Sequence, residues 1–184
     1  RDTFPGSKWN YIGDRQQGHE PMLNSECGNV WGYEGSAGDV DWSWDYHIMM
    51  NEFRRHPKMC GWLYTEHHDV INEWNGYWRY DRSNKFTGMS DLAPDMTLRD
   101  LHGAFYIAAE RELCRQVTPG EEVQVPLFAS FFTDSQVGTP LTLDMQLFGW
   151  DALGNRQIYW EGSTAVPCEP WLHRELPTAP AEMP

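Results

Sequence analysis

Met59-Cys60-Gly61-Trp62-Leu63-Tyr64-Thr65-Glu66-His67-His68-Asp69 decides the fold of the first half of the chain. An apolar run of strand length gives way abruptly to hydroxyl, acid and imidazole groups. An earlier run, Pro21-Met22-Leu23-Asn24-Ser25, ends the same way at Glu26. Between them lie a Gly-rich loop, Cys27 to Asp41, and a segment with helical spacing, Asp41 to His56, which Pro57 stops. On that helix Trp44, Ile48 and Phe53 are expected to share the inward face. Strand, loop, helix, strand, loop is a βαβ unit, the element of parallel sheets and barrels. Polar groups gather beyond the C-terminal ends of both strands, where such folds place their sites.

Working outward, the second half changes texture. Phe105 to Ala109 and Val123 to Phe132 are short apolar runs separated by a Pro119-Gly120 turn signal. Leu141, Leu143, Met145 and Leu147 alternate with Thr142, Asp144 and Gln146, the period of a half-buried strand. Leu153-Gly154-Asn155 reads as a turn, and another strand begins at Gln157. This predicts an antiparallel β-sandwich, incomplete at about 80 residues where seven strands take about 100. The proline-rich tail, Leu176 to Pro184, reads as a linker or trailing end. The expected division is 1–100 and 101–184.

Composition narrows the chemistry. The 184 residues carry 14 basic and 27 acidic groups, a net charge of −13. No basic stripe exists for a nucleic-acid partner. No stretch reaches the roughly 20 apolar residues of a membrane helix. Cys27, Cys60, Cys114 and Cys168 form neither a CxxC pair nor a zinc-ligand spacing, so free thiols are expected and the compartment stays open. The 10 Trp, 8 Tyr and 8 Phe serve either a packed core or a surface that stacks on sugar rings.

Glu26 is the sharpest candidate. A carboxylate at a strand end can act as a glycosidase nucleophile, and retaining hydrolysis pairs it with a second carboxyl about 5–5.5 Å away. The bland alternative is a structural ion pair. Glu66 ends the second strand and is either a partner carboxylate, a substrate ligand or a solvated loop acid. Asn51-Glu52 lies in the predicted helix and Asn72-Glu73 in a loop, so neither stands where an Asn-Glu acid/base pair is needed. His67, His68 and Asp69 lack HExxH spacing, and no metal or other cofactor is expected. Ser25 fails the GxSxG pattern because position 23 is Leu. No phosphate-binding glycine loop is present.

Taken together, these stretches resemble glycoside hydrolase family 2, which includes β-galactosidases, β-glucuronidases and β-mannosidases. Ser25-Glu26-Cys27-Gly28 is similar to the family's nucleophile segment. Gly61-Trp62-Leu63-Tyr64-Thr65-Glu66 resembles its last barrel strand. Asp69-Val70-Ile71-Asn72-Glu73-Trp74-Asn75-Gly76 and Tyr80-Asp81-Arg82 resemble the segment that follows. The likeness covers roughly residues 20 to 86. It implies an α/β region formed by the last strands and helices of a (β/α)8 barrel, followed by an all-β, immunoglobulin-like sandwich. One βαβ unit cannot close a barrel of about 250 residues, so the chain is expected to be an internal piece of a larger enzyme.

The resemblance further implies that Glu26 is the nucleophile. Trp31 and Tyr64 would pack on the sugar, and Glu66 or His67 would hydrogen-bond its hydroxyls. Tyr64 stands where many relatives carry Trp, and Cys27 replaces an aromatic residue. The acid/base Glu would lie outside these residues. Glu73-Trp74-Asn75 occupies the place of the Asn-x-Lys that grips a uronate, so a neutral sugar is favoured, with Arg79 and Arg82 the basic groups nearby in sequence. The expected partners are a carbohydrate substrate and the remaining barrel strands. The competing class is a non-catalytic carbohydrate-binding or sugar-sensing protein.

Overall fold

A computed structural model describes residues 7–28, 30, 38–111, 113–134 and 140–182. The chain divides into two compact units, Arg1–His102 and Gly103–Pro184. The described residues are rich in short β-strands with few helices.

In the first unit, β1 (Met22–Cys27) and β2 (Met59–Tyr64) pair in parallel through α1 (Ser43–Arg55). The βαβ pattern read from the sequence is therefore present. Parallel neighbours need a crossover connection, and a helix supplies it here. The N–H of Ser43 donates to Asp41 Oδ1 at 2.9 Å where α1 begins. Arg54 and Arg55 lie in its last turn, where cations suit the helix dipole, and Pro57 follows one residue beyond the C-cap His56.

The inward stripe of α1 differs from the expected one. Ser43, Tyr46, Met50, Asn51, Phe53 and Arg54 are buried, whereas Trp44 is half-buried and Ile48 exposed. The three- and four-residue steps from 43 through 46 and 50 to 53 and 54 define the stripe. Trp44 sits on its flank, edge-on to His47 with centroids 5.1 Å apart. The buried Arg54 guanidinium lies over the Trp62 ring, 5.0 Å from its centre, a cation–π contact. The strand pair keeps apolar groups in water: Leu23 is 56% and Leu63 58% exposed. A short helix, α2 (Met89–Leu92), and 3-10 turns at Lys8–Asn10 and Asp100–His102 complete the described elements of this unit.

The second unit is antiparallel. β3 (Phe105–Ala108), β4 (Glu122–Phe131) and β7 (His173–Glu182) form one sheet in the order β3-β4-β7. β5 (Leu141–Trp150) and β6 (Arg156–Val166) form a hairpin. Leu127, Ala129, Phe131, Val166, Leu172 and Leu176 make the core, and Leu141, Leu143 and Met145 of β5 pack against it. Two sheets thus share one apolar interior, the arrangement of a β-sandwich. In the hairpin turn, Asp151 Oδ1 accepts the N–H groups of Leu153 and Asn155, and Gly154 takes φ +80°.

The tail is a correction. Residues expected to be a linker form most of β7, paired with β4 from Ser130↔His173 to Glu122↔Glu182. Prolines remove ladder donors, but β7 lies at a sheet edge, where one side of the backbone needs no partner. The register slips between Val125 and Leu127, at Pro126, and Pro177 lies in the matching gap.

Candidate functional site

The C-terminal ends of β1 and β2 lie side by side. Cys27 pairs with Tyr64, and the Thr65 N–H donates to the Cys27 carbonyl at 2.8 Å. Glu26 and Glu66 therefore stand at the same end of adjacent strands. Glu26 lies inside β1 and is exposed; its N–H donates to Asn24 Oδ1 at 3.1 Å. Glu66 follows a cis peptide bond after Thr65. Its Oε1 is shielded from water and meets no hydrogen-bond partner among the described residues. Partial burial, then the charge of Glu73, raise the Glu66 carboxyl above the ordinary range, against the Val70 N–H and the Lys85 charge. The unmet Oε1 can accept a hydrogen bond from a hydroxyl.

Behind this edge runs a buried polar framework. Asp69 is fully buried and pairs with Lys85 Nζ at 2.7 Å; the Lys85 side chain is 2% exposed. Lys85 also donates to the Trp74 carbonyl and lies 3.6 Å from Asp39. The same oxygen, Asp69 Oδ1, also accepts the Gly76 N–H at 2.9 Å, while Oδ2 is buried and meets no hydrogen-bond partner among the described residues. Gly76 must be glycine, because a Cβ there would fall on the backbone of His68 and Asp69. The next residue back, Asn75, grips Val30 from both sides. Its Oδ1 accepts the Val30 N–H at 2.5 Å and its Nδ2 donates to the Val30 carbonyl at 3.0 Å. Gly28 lies against the same amide: a Cβ would stand 2.8 Å from Asn75 Nδ2 and 3.0 Å from the Thr65 carbonyl.

An aromatic cluster flanks the edge. Tyr64 packs on Tyr46, Tyr77 and Trp42 at 4.6, 5.0 and 5.3 Å between ring centres. The Tyr46 hydroxyl meets the Tyr77 hydroxyl at 2.8 Å and His102 Nε2 at 2.7 Å. Burial raises the phenols of Tyr46, Tyr64 and Tyr77, and burial followed by the Arg54 charge lowers His102. The Tyr64 hydroxyl is buried and meets no partner among the described residues. Cys27 donates its Sγ–H to the Leu63 carbonyl, and burial pushes its thiol up to about 11, which disfavours the thiolate.

Not every expected residue joins this group. His67 is exposed and lies over Trp78, 4.8 Å between centres, with its Nδ1 3.4 Å from that of His68. Trp31, with the glycines at 32 and 35, lies outside the described residues. Arg79 pairs with Asp39 at 2.6 Å, and Arg82 closes a turn at φ 71° with its guanidinium on the Tyr80 carbonyl. Asn51 is buried in α1 and Glu52 pairs with Arg55 at 2.8 Å. Asn72 occupies a left-handed turn position at φ 69°. Among the described residues no three His, Cys, Asp or Glu groups cluster as metal ligands. An apolar hollow of about 200 Å³ lies in the second unit, lined by Ile107, Val125, Leu143 and Trp160 among others. Its described lining holds no titratable side chain.

Sequence reasoning missed Lys85, Tyr46, Tyr77 and His102 as parts of this region. Asn75 and Gly76 lay in a quoted stretch, but their contacts with Val30 and Asp69 carry no local signal. No family model, curated protein or solved structure matches the chain.

Proposed function

We propose that the chain carries the last two strand ends of the catalytic barrel of a retaining β-glycosidase of the family 2 type, with Glu26 as its nucleophile. The observation that supports this most is the union of three quoted stretches at one edge. Ser25–Gly28 and Tyr64–Glu66 are tied by the Thr65–Cys27 hydrogen bond, and Asn75 of Asp69–Gly76 holds Val30, two residues past Gly28. The bare strand pair adds support. Parallel strands are ordinarily covered on both faces, and exposed Leu23 and Leu63 would be covered by further strands of a barrel.

In the proposed reaction a Glu26 carboxylate oxygen bonds to the anomeric carbon as the bond to the aglycone oxygen breaks. A carboxyl group supplied by the rest of the enzyme protonates that oxygen. Water then hydrolyses the glycosyl ester, with retention. Glu66, His67, Tyr64 and Trp31 would contact the sugar. The negative charges of Glu66 and Glu73 and the commitment of Arg79 to Asp39 favour a neutral sugar over a uronate. The sandwich is read as the immunoglobulin-like domain that follows such a barrel.

The test is Glu26→Gln in the natural chain that contains these residues, assayed on a panel of aryl β-glycosides. Turnover should fall at least ~10³-fold with the melting temperature unchanged. Retained turnover would overturn the assignment. Saturable sugar binding by the parent protein without any turnover would select the carbohydrate-binding or sugar-sensing alternative.

A further inference from the structure

We infer that Asn75 is a positioning residue for Glu26, acting through the backbone of Cys27, Gly28 and Val30; this rests on the reading of Glu26 as nucleophile. Glu26 itself is exposed, and the one side-chain contact described for its backbone comes from Asn24, two residues away. Its direction is therefore set by where the chain goes next. Three constraints act on that path. The Cys27 carbonyl is held by the Thr65 N–H at 2.8 Å. Gly28 is wedged between the Asn75 amide and the Thr65 carbonyl, with no room for a Cβ. The N–H and carbonyl of Val30 are both taken by the Asn75 side chain.

Asn is chemically apt for the last task. A primary amide offers one acceptor and one donor in a plane, matching a residue's N–H and C=O as a neighbouring strand would. Asp cannot do this, because its second oxygen would face the Val30 carbonyl. Asn75 is itself anchored. Its neighbour Gly76 donates to Asp69, which is buried against Lys85. A path thus runs from a buried ion pair, through Asn75, to Gly28 and Val30 beyond the nucleophile. A nucleophile must meet the anomeric carbon in line, and a displacement of about 1 Å costs on the order of 10²-fold in rate.

The experiment uses Asn75→Asp and Gly28→Ala in the natural full-length chain. The second variant pushes on the same clamp from the other side. Active sites are counted by the burst of aryl leaving group, so that misfolded molecules do not enter kcat. The expected result is a fall in kcat per active site of about 10- to 100-fold in both variants, with KM changed less than about threefold. A kcat per site within threefold of the parent would overturn the proposal, because a merely structural clamp lowers the number of sites and not their rate. Failure of both variants to fold would equally overturn it in favour of a purely structural role. Glu26→Gln is run alongside. If that variant keeps its activity, the nucleophile reading fails; if it is dead while Asn75→Asp is unimpaired, only the positioning role fails.

Discussion

The interiors of the two units are built from different materials. The sandwich closes on Leu127, Ala129, Phe131, Val166, Leu172 and Leu176, with Ser130 its only buried polar residue among those described. The βαβ unit buries Ser43, Asn51, Arg54, Asp69 and Asn75 among its aromatic rings. Apolar burial is non-directional and tolerant of shape. Buried polar groups are costly unless each finds its partner, and they then fix a single geometry. The first kind of interior holds a domain together; the second also aims particular groups. That difference sets the first unit apart as the one whose interior holds buried charged and amide groups among the described residues.

Removing one partner of the buried pair is the strongest way to break the comparison. Lys85→Met leaves Asp69 charged and unpaired, at a cost of about 3–5 kcal/mol. Hydrogen exchange followed by mass spectrometry should show faster exchange over residues 59–85, with protection in β4 and β5 unchanged. Equal loosening of both units would deny the contrast. Leu127→Ala comes next, with a loss of about 2–4 kcal/mol confined to the sandwich. Its effect should appear in β4, β5 and β7 and leave the first unit's exchange as it was.

The smallest effect is in pH. Burial and Arg54 lower the His102 imidazole below its ordinary value, and burial lowers His47 likewise. The folded state then binds fewer protons than the unfolded one. Stability from these groups is complete above the ordinary imidazole value and is lost as the pH falls through it. Glu66 has the opposite sign: its raised carboxyl costs stability as the pH climbs above the ordinary carboxyl value. Between pH 7 and 5 the imidazole contribution should lower the melting temperature as the pH falls. His102→Gln should flatten that slope, and an unchanged slope would remove His102 from the account.

Much of the first unit was legible because local patterns encode it. Met59 to Tyr64 reads as a strand by its apolar run, and Pro57 marks the helix end before it. β1 was read one residue early at its start and too short at its end, since Glu26 and Cys27 lead directly into a glycine-rich stretch. The inward stripe of α1 was misjudged because Trp44 and Ile48 are apolar yet off-axis, while Ser43, Asn51 and Arg54 are polar yet buried. β7 was hidden by Pro177 and Pro180, which an edge strand tolerates. At the site, Glu26 and Glu66 were legible from their places at strand ends. Lys85, Tyr77 and His102 were not, because contacts across tens of residues leave no periodic trace.

The central claim is that Glu26 forms the covalent bond to the sugar. A fluorinated β-glycoside that slows the second step should accumulate a glycosyl ester in the natural full-length chain. Peptide mass spectrometry should then find one adduct, on Glu26, appearing in step with loss of activity. An adduct on Glu66 or another carboxylate, or full turnover with Glu26 unmodified, would contradict the account.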